Sequence, residues 1–166
     1  TDALTGLANG RTFEAALDWV WHSSQRSGEP FTLAFLDLDR FKQVNDRHGH
    51  AAGDELLRQV AATIGSQLRA TDLCARLGGD EFVILLSATG EAAAQSVLGR
   101  VFDALTALLA EPWDAGVTLG AVAFTSPPEN ARQAVQLADA LMYAGKAQGR
   151  GRMTLRVWPE SAADEG

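Results

Sequence analysis

The chain has 166 residues, 46% of them hydrophobic, which suffices for one domain with a single buried core and shows no composition break that argues for two. Its formal charge of −7 speaks against a nucleic-acid-binding surface, and its one cysteine, Cys74, cannot form an internal disulfide. No run reads as long and apolar enough to span a membrane, and no signal-peptide pattern opens the chain.

Asp2-Ala3-Leu4-Thr5-Gly6-Leu7-Ala8-Asn9 reads as a loop leading into a helix, with Asn9 as its cap and Phe13, Ala16, Leu17, Val20 and Trp21 at helical spacing. Ser23 to Pro30 is the polar loop before the first strand, and His22 is a surface or rim residue. Phe31 to Leu36 is the nearly continuous apolar run of a buried strand, and it ends in Asp37-Leu38-Asp39. Carboxylates at the end of a buried strand are seldom there for packing. Asp39 serves equally as a helix cap, because Arg40 to Asn45 should begin a short helix whose first N–H groups form a ready anion site. Asn45 to Asp54, broken by Gly49 and Gly53, reads as a polar loop opening a second helix, with Asp54 as N-cap on spacing alone. His48 and His50 lack a third ligand at zinc spacing.

Leu56, Leu57, Val60, Ala61, Ile64 and Leu68 form the buried stripe of a long helix that ends near Arg69. On local grounds Arg69 is a helix-terminal cation and Asp72 a turn residue. Asp72 to Ala75 and Phe82 to Leu86 then flank Arg76-Leu77-Gly78-Gly79-Asp80-Glu81, a hairpin signal. Its glycines supply backbone conformations closed to other residues, and two carboxylates follow on a tip with little bulk around it. Taken alone, such a turn is as readily a surface hairpin as a site for a phosphate ester held through a divalent metal. If the hairpin and the 31–36 strand are neighbours in one sheet, Asp37 and Asp80 converge at its edge and can share hard cations. Gly90 to Ala110 is a core helix stopped by Pro112, and Val117 to Phe124 an inner strand. Pro127 to Asn130 breaks the chain before a helix with Ala134, Leu137, Ala138, Leu141 and Met142, and Met153 to Trp158 is a last strand or extended tail.

From Asp2-Ala3-Leu4-Thr5-Gly6-Leu7 through Asp37-Leu38-Asp39-Arg40-Phe41-Lys42 and Gly78-Gly79-Asp80-Glu81-Phe82 to Gly149-Arg150, the chain resembles the GGDEF domain of the diguanylate cyclase family, which joins two GTP molecules into cyclic di-GMP. The resemblance implies an α/β fold, a central, mainly antiparallel, five-stranded sheet wrapped by helices and similar to the palm-like cores of nucleotide cyclases and polymerases. It implies a catalytic domain, taken as residues 1–158, and Pro159 to Gly166 reads as a disordered tail. Asp37, Asp80 and the carbonyl of Leu38 are implied as ligands of magnesium or manganese, two ions per active site, with Asp80, Glu81, Lys42 and Lys146 as the catalytic set. The main chain of Arg40, Phe41 and Lys42, with the side chains of Lys42, Lys146 and Arg150, would hold the triphosphate, while Gly78 and Gly79 give the nucleotide room. Asn45 and Asp54 stand where the family reads guanine, an amide and a carboxylate answering the acceptor and donors of its edge. Arg69 and Asp72 match the product-binding inhibitory site. The chain departs from the family pattern at Gly10, at the exchanged Ala121 and Val122 after Gly120, and at Gly145 and Gly151, of which the last two bear on how Lys146 is placed.

One domain binds one GTP, so the resemblance also implies a homodimer of domains, each presenting its nucleotide to the other. It implies a cytosolic setting, a sensory or receiver module on the N-terminal side of this stretch, and no nucleic-acid partner. The alternative is a catalytically weak or inactive GGDEF domain that serves as a receptor for GTP or cyclic di-GMP. The presence of Asp37, Lys42, Asn45, Asp54, Asp80, Glu81 and Lys146 together argues against it. Asn45 with Asp54 likewise disfavours a cyclase that uses ATP.

Overall fold

The computed structural model describes residues 1–160, so most of the tail expected over 159–166 lies outside the described residues. In chain order the elements are α1 (Gly10–Ser27), β1 (Phe31–Asp39), α2 (Phe41–His48), α3 (His50–Gly65), β2 (Leu73–Gly78), β3 (Glu81–Leu86), α4 (Glu91–Leu109), β4 (Gly116–Phe124), α5 (Ala131–Ala147) and β5 (Met153–Trp158). The strands form one sheet in the order β2-β3-β1-β4-β5. The expectation of a mainly antiparallel sheet needs a correction at one edge. The sheet is mixed: β5 runs parallel to β4, while the β2/β3, β3/β1 and β1/β4 pairs are antiparallel. Antiparallel strands can be joined by a tight hairpin, whereas the parallel pair needs a crossover, which α5 supplies.

β1 is the middle strand and explains the layering. Successive side chains of a strand alternate between faces, so Ala34, Leu36 and Leu38 join the core under α2, α3 and α4. Phe31, Leu33 and Phe35 join the core under α1 and α5 on the other face. A strand buried on both faces reads as an unbroken apolar run, which is what residues 31–36 show. The same alternation places Asp37 and Asp39 on the α5 side. Thr118 and Gly120 of β4 share that side, being even-numbered where Val117, Leu119 and Ala121 point into the opposite core.

Several boundaries differ from expectation. α1 continues to Ser27, and only Gly28 to Pro30 remains as loop; Gly28, at φ 75°, closes the helix by donating to the Ser24 carbonyl. The expected loop over 45–54 shrinks to Gly49, whose φ of 91° lets α2 and α3 abut, so Asp54 lies within α3 and is not its cap. α3 ends at Gly65, short of Arg69. Contrary to the sequence reading, α4 is by length and composition apolar enough to cross a membrane. In the fold its Ala94, Leu98, Val101, Leu105 and Leu109 fill the core, while Arg100 and Asp103 face outward.

Helix α5 is seated on the sheet where Gly120 has no side chain. A Cβ there would fall 2.6 Å from the Leu141 carbonyl carbon and 2.7 Å from the Met142 Cα, distances that real Cβ atoms do not show. Backbone cannot swing aside as a flexible side chain can. Gly120→Ala is therefore expected to push α5 off the sheet and lower stability by about 3 kcal/mol, measured by urea unfolding. Unchanged stability would mean that α5 is not held there.

Candidate active site

The end of β1 and the start of β3 meet because the strands pair antiparallel with Asp37 opposite Glu81. The turn between β2 and β3 consists of Gly79 and Asp80, and Gly78 and Gly79 adopt φ values of 152° and 49°. Such values favour glycine, which accounts for the pair. Leu38 N–H donates to the Asp80 carbonyl at 3.2 Å, so the turn is stitched to β1 beside the two acids. The back of the turn is braced by Arg76, which donates to the Gly79 carbonyl at 2.9 Å and to the Asp2 carboxylate at 3.0 Å. The N-terminal loop is thereby tied to the glycine turn. Sequence reading missed this, although Arg76 stood next to the motif.

Asp37 is largely buried and forms an ion pair with Lys146, which comes from the last turn of α5. Its other oxygen, Oδ1, is buried with no hydrogen-bond partner. Burial, followed by the charge of Asp37, pushes the Asp80 carboxyl up from 3.8 to about 6. Burial also raises Glu81, with the charges of Asp139 and Asp37 adding to it. Two crowded carboxylates and an orphaned buried oxygen are the features a divalent cation relieves. Among the described residues no three acidic, histidine or cysteine side chains converge on one point. Magnesium commonly takes only one or two carboxylates and completes its shell with substrate phosphate and water, so the Asp37/Asp80 pair with the Leu38 carbonyl fits such an ion.

Beside the acids lies a cavity of about 370 Å³ lined by Leu38, Arg40, Phe41, Lys42, Gln43, Asp46, Asp80, Lys146 and Arg150. Seven of these were singled out in the sequence; Gln43 and Asp46 were not. Arg40, at φ 63°, is the N-cap of α2 and offers no side-chain cap, so the first-turn N–H groups that lack intrahelical acceptors are those of Phe41, Lys42 and Gln43. The anion site is thus shifted one residue along from the expected main-chain set. A larger cavity of about 720 Å³ beside Trp19 and Pro30 contains none of the acids of this site.

Asn45 and Asp54 lie on adjacent helices. A Cβ on Gly53 would overlap the Asn45 side-chain oxygen, so the amide rests directly on the α3 backbone one residue from Asp54. Asp39, expected as a helix cap, does not cap α2: it is buried and accepts from the Thr118 hydroxyl at 3.0 and 2.8 Å and from Gly151 N–H at 3.0 Å. His48 packs edge-on against Trp113 with ring centroids 5.0 Å apart.

Arg69 and Asp72 are brought together, but away from the acids. Arg69 donates from its main chain, Nε and Nη2 to the Asp72 carboxylate at 2.9, 3.2 and 3.0 Å, and Nη2 also reaches the Ser87 carbonyl and the Thr89 hydroxyl. Asp72 precedes β2 and Ser87 follows β3, so this cluster sits at the open end of the hairpin, about 20 Å of strand from the glycine turn.

The family model described as "Diguanylate cyclase, GGDEF domain" matches residues 1–152. The chain is 41% identical to probable diguanylate cyclase DgcE of Escherichia coli K12 over 98% of its own length and 15% of that protein's. It is 38% identical to diguanylate cyclase DgcP of Pseudomonas aeruginosa over 92% of its length and 23% of the relative's. Its fold matches diguanylate cyclase SiaD from P. aeruginosa, solved with its activator SiaC, at TM-score 0.85 and 38% identity, covering 93% of this chain and 60% of that one. It matches the GGDEF domain of DgcB from Caulobacter crescentus, solved with cyclic di-GMP, at TM-score 0.84 and 31% identity, covering 93% and 94%.

The raised Asp80 pKa has a consequence for stability. As pH rises from about 4 to about 6 the unfolded chain releases the Asp80 proton before the folded protein does, so without metal this group lowers stability across that window. Asp80→Asn removes the titration. In EDTA, its melting temperature relative to wild type is expected to be higher at pH 7 than at pH 4, and thermal denaturation at the two pH values measures this. A difference independent of pH would show that the two acids do not crowd each other.

Proposed function

The chain belongs to the diguanylate cyclase GGDEF family, and from that premise we propose that it condenses two GTP molecules into cyclic di-GMP. The observation that carries this reading is the Asp37/Asp80 pair beside a cavity lined by Arg40, Lys42, Lys146 and Arg150. In each of two steps a ribose 3′-oxygen attacks an α-phosphorus, the bond to the β-phosphate oxygen breaks, and pyrophosphate leaves. Magnesium or manganese, two ions held by Asp37, Asp80 and the Leu38 carbonyl, would lower the hydroxyl's pKa and offset charge on the phosphates.

The chain's own groups divide the remaining work. Phe41, Lys42 and Gln43 present N–H groups to the terminal phosphates, and the side chains of Lys42, Lys146 and Arg150 neutralise them. Lys146 also holds Asp37 in place. Glu81, raised by burial and by its acidic neighbours, is the better proton acceptor for it and takes the proton of the attacking hydroxyl. Gly78 and Gly79 leave the turn bare. Asn45 and Asp54 read the guanine edge, which favours GTP over ATP. One cavity per domain accommodates one nucleotide, so the reaction needs two domains face to face in a homodimer. GTP is a cytosolic substrate, which sets the compartment.

Arg69 and Asp72 are the proposed inhibitory site for product. The bidentate pair presents a planar cation beside a cavity of about 260 Å³, a suitable partner for a phosphate or a guanine face. A solved relative, the GGDEF domain of DgcB, was captured with cyclic di-GMP.

Purified domain incubated with GTP and magnesium is expected to form cyclic di-GMP, seen by nucleotide chromatography, with a yield that rises more than proportionally with protein concentration. Asp80→Ala is expected to reduce turnover by at least about a hundred-fold while the fold survives. Magnesium should raise the melting temperature of wild type but not of that variant. Normal turnover by folded Asp80→Ala would sink the metal assignment. Arg69→Ala is expected to weaken product inhibition about ten-fold without abolishing synthesis, as fits the loss of a charged hydrogen bond. No product even when two domains are fused, with cyclic di-GMP still bound, would instead identify a receptor.

A further inference from the structure

We infer that Asp39 is a positioning residue for phosphate binding, bracing through Thr118 and the main chain of Gly151 the segment that carries Lys146 and Arg150. This rests on the cyclase reading above. Asp39 is only 4% exposed, and among the described residues it forms no ion pair. A buried carboxylate without a cation persists only where several donors satisfy it. Here they are the Thr118 hydroxyl and Gly151 N–H, and Gly151 N–H also reaches Thr118 Oγ1 at 3.1 Å. Both acid oxygens are engaged by these donors, so the buried charge is met from within the protein.

The segment it holds lies past the end of the helix, where Arg152 also donates to the Gln148 carbonyl at 2.6 Å. Helix α5 ends at Ala147, and Arg150 and Gly151 follow in left-handed backbone at φ 61° and 58°. A non-glycine residue in that region is disfavoured and persists where its surroundings fix it. Three consecutive main-chain ties do so: Arg150 N–H to the Gly145 carbonyl at 3.0 Å, Gly151 N–H to Asp39, and the Arg152 carbonyl accepting from Leu119 N–H at 2.9 Å. Only the middle tie depends on side chains. The departure at Gly145 belongs to the same arrangement, because a Cβ there would come 3.0 Å from the Thr118 methyl group. Without it the last turn of α5 settles against Thr118.

Asp39 therefore links both halves of the phosphate cradle. Its main chain leads directly into Arg40, Phe41 and Lys42, and its side chain fixes the loop that delivers Arg150 beside them. Phosphate ligands contributed by two distant segments must keep their separation, and one residue bonded to both sets it.

The test uses Thr118→Val, nearly isosteric and lacking the hydroxyl, alongside Asp39→Ala and Asp39→Asn. The readouts are GTP affinity by equilibrium binding, kcat and KM, and NMR exchange of the Gly151 amide. Asp39→Ala is expected to expose that amide and to weaken GTP binding about ten-fold or more, with KM rising further than kcat falls; Thr118→Val, which leaves Asp39 Oδ2 as an acceptor for Gly151 but removes the hydroxyl that orients it, is expected to do both to a smaller degree. Asp39→Asn keeps an acceptor for Gly151 and is expected to recover most of the affinity. Wild-type GTP affinity in a variant whose Gly151 amide exchanges freely would overturn the inference. So would a parallel fall of kcat, affinity and melting temperature with no rescue by asparagine, the pattern of a general structural defect. If Asp39→Ala does not fold, Thr118→Val carries the same comparison. A wild-type protein that binds no GTP overturns the cyclase reading instead, and with it the phosphate role of the brace, while amide exchange still reports whether the tie exists.

Discussion

Two carboxylates held side by side at the end of a buried strand are the constraint around which this molecule is arranged. Asp37 sits where β1 emerges from a core closed on both faces, and Asp80 stands on the adjoining turn. Both carboxylates are partly buried, and burial first and then the charge of Asp37 raise the Asp80 pKa. Among the described residues Lys146 supplies the compensating cation at Asp37. It reaches the pair only because α5 lies directly on β4 at Gly120. A packing detail in mid-sheet thus decides the electrostatics at the sheet's end. The partial compensation matters as well: a fully satisfied pair would have little affinity for a cation, and an unsatisfied one would disfavour the fold.

The hairpin serves two places at once. Its closed end carries the glycines and Asp80, braced from behind by Arg76 and Asp2. Its open end carries Arg69 and Asp72, bonded across to Ser87 and Thr89. β3 between them is paired on both sides, to β2 and to β1, and Phe82 to Leu86 are buried. Such a strand transmits little movement along its length. An event at the open end would therefore reach the closed end with little bending of the turn.

What the sequence discloses follows the physics of each element. Phe31 to Leu36 is legible because a strand buried on both faces must be apolar throughout, and the Gly78-Gly79 turn because only glycine tolerates its φ values. The stripe of α4 is legible for the same reason, though its composition alone also passes for a membrane span. The parallel placement of β5 is not legible, since six residues of mixed burial suit either edge direction. The short gap between α2 and α3 was obscured by polar residues that look like loop, while the deciding fact was one positive φ at Gly49. The site acids and cations were legible as types at known spacing. The ties that place them were not: Asp39 to Thr118 and Gly151, and Arg76 to Asp2, join residues far apart in sequence whose identities alone carry no sign of the contact.

Charge raises a further requirement. The cavity wall holds Arg40, Lys42, Lys146 and Arg150 against Asp46 and Asp80, a local excess of positive charge inside a domain of formal charge −7. Such an inversion would let an acidic protein accept the triphosphate of the proposed reaction. It does nothing to help two such domains approach each other, because beyond the cavity each presents net negative charge, and a bound nucleotide adds more. Screening in physiological salt extends over only about 8 Å, so repulsion weakens with distance but returns as the two faces close. The proposed reaction, which needs both faces in contact, would thus depend on metal ions at the junction and on a tether or partner that raises the local concentration of domains. Acidity that opposes such pairing would leave it for the tether or partner to control.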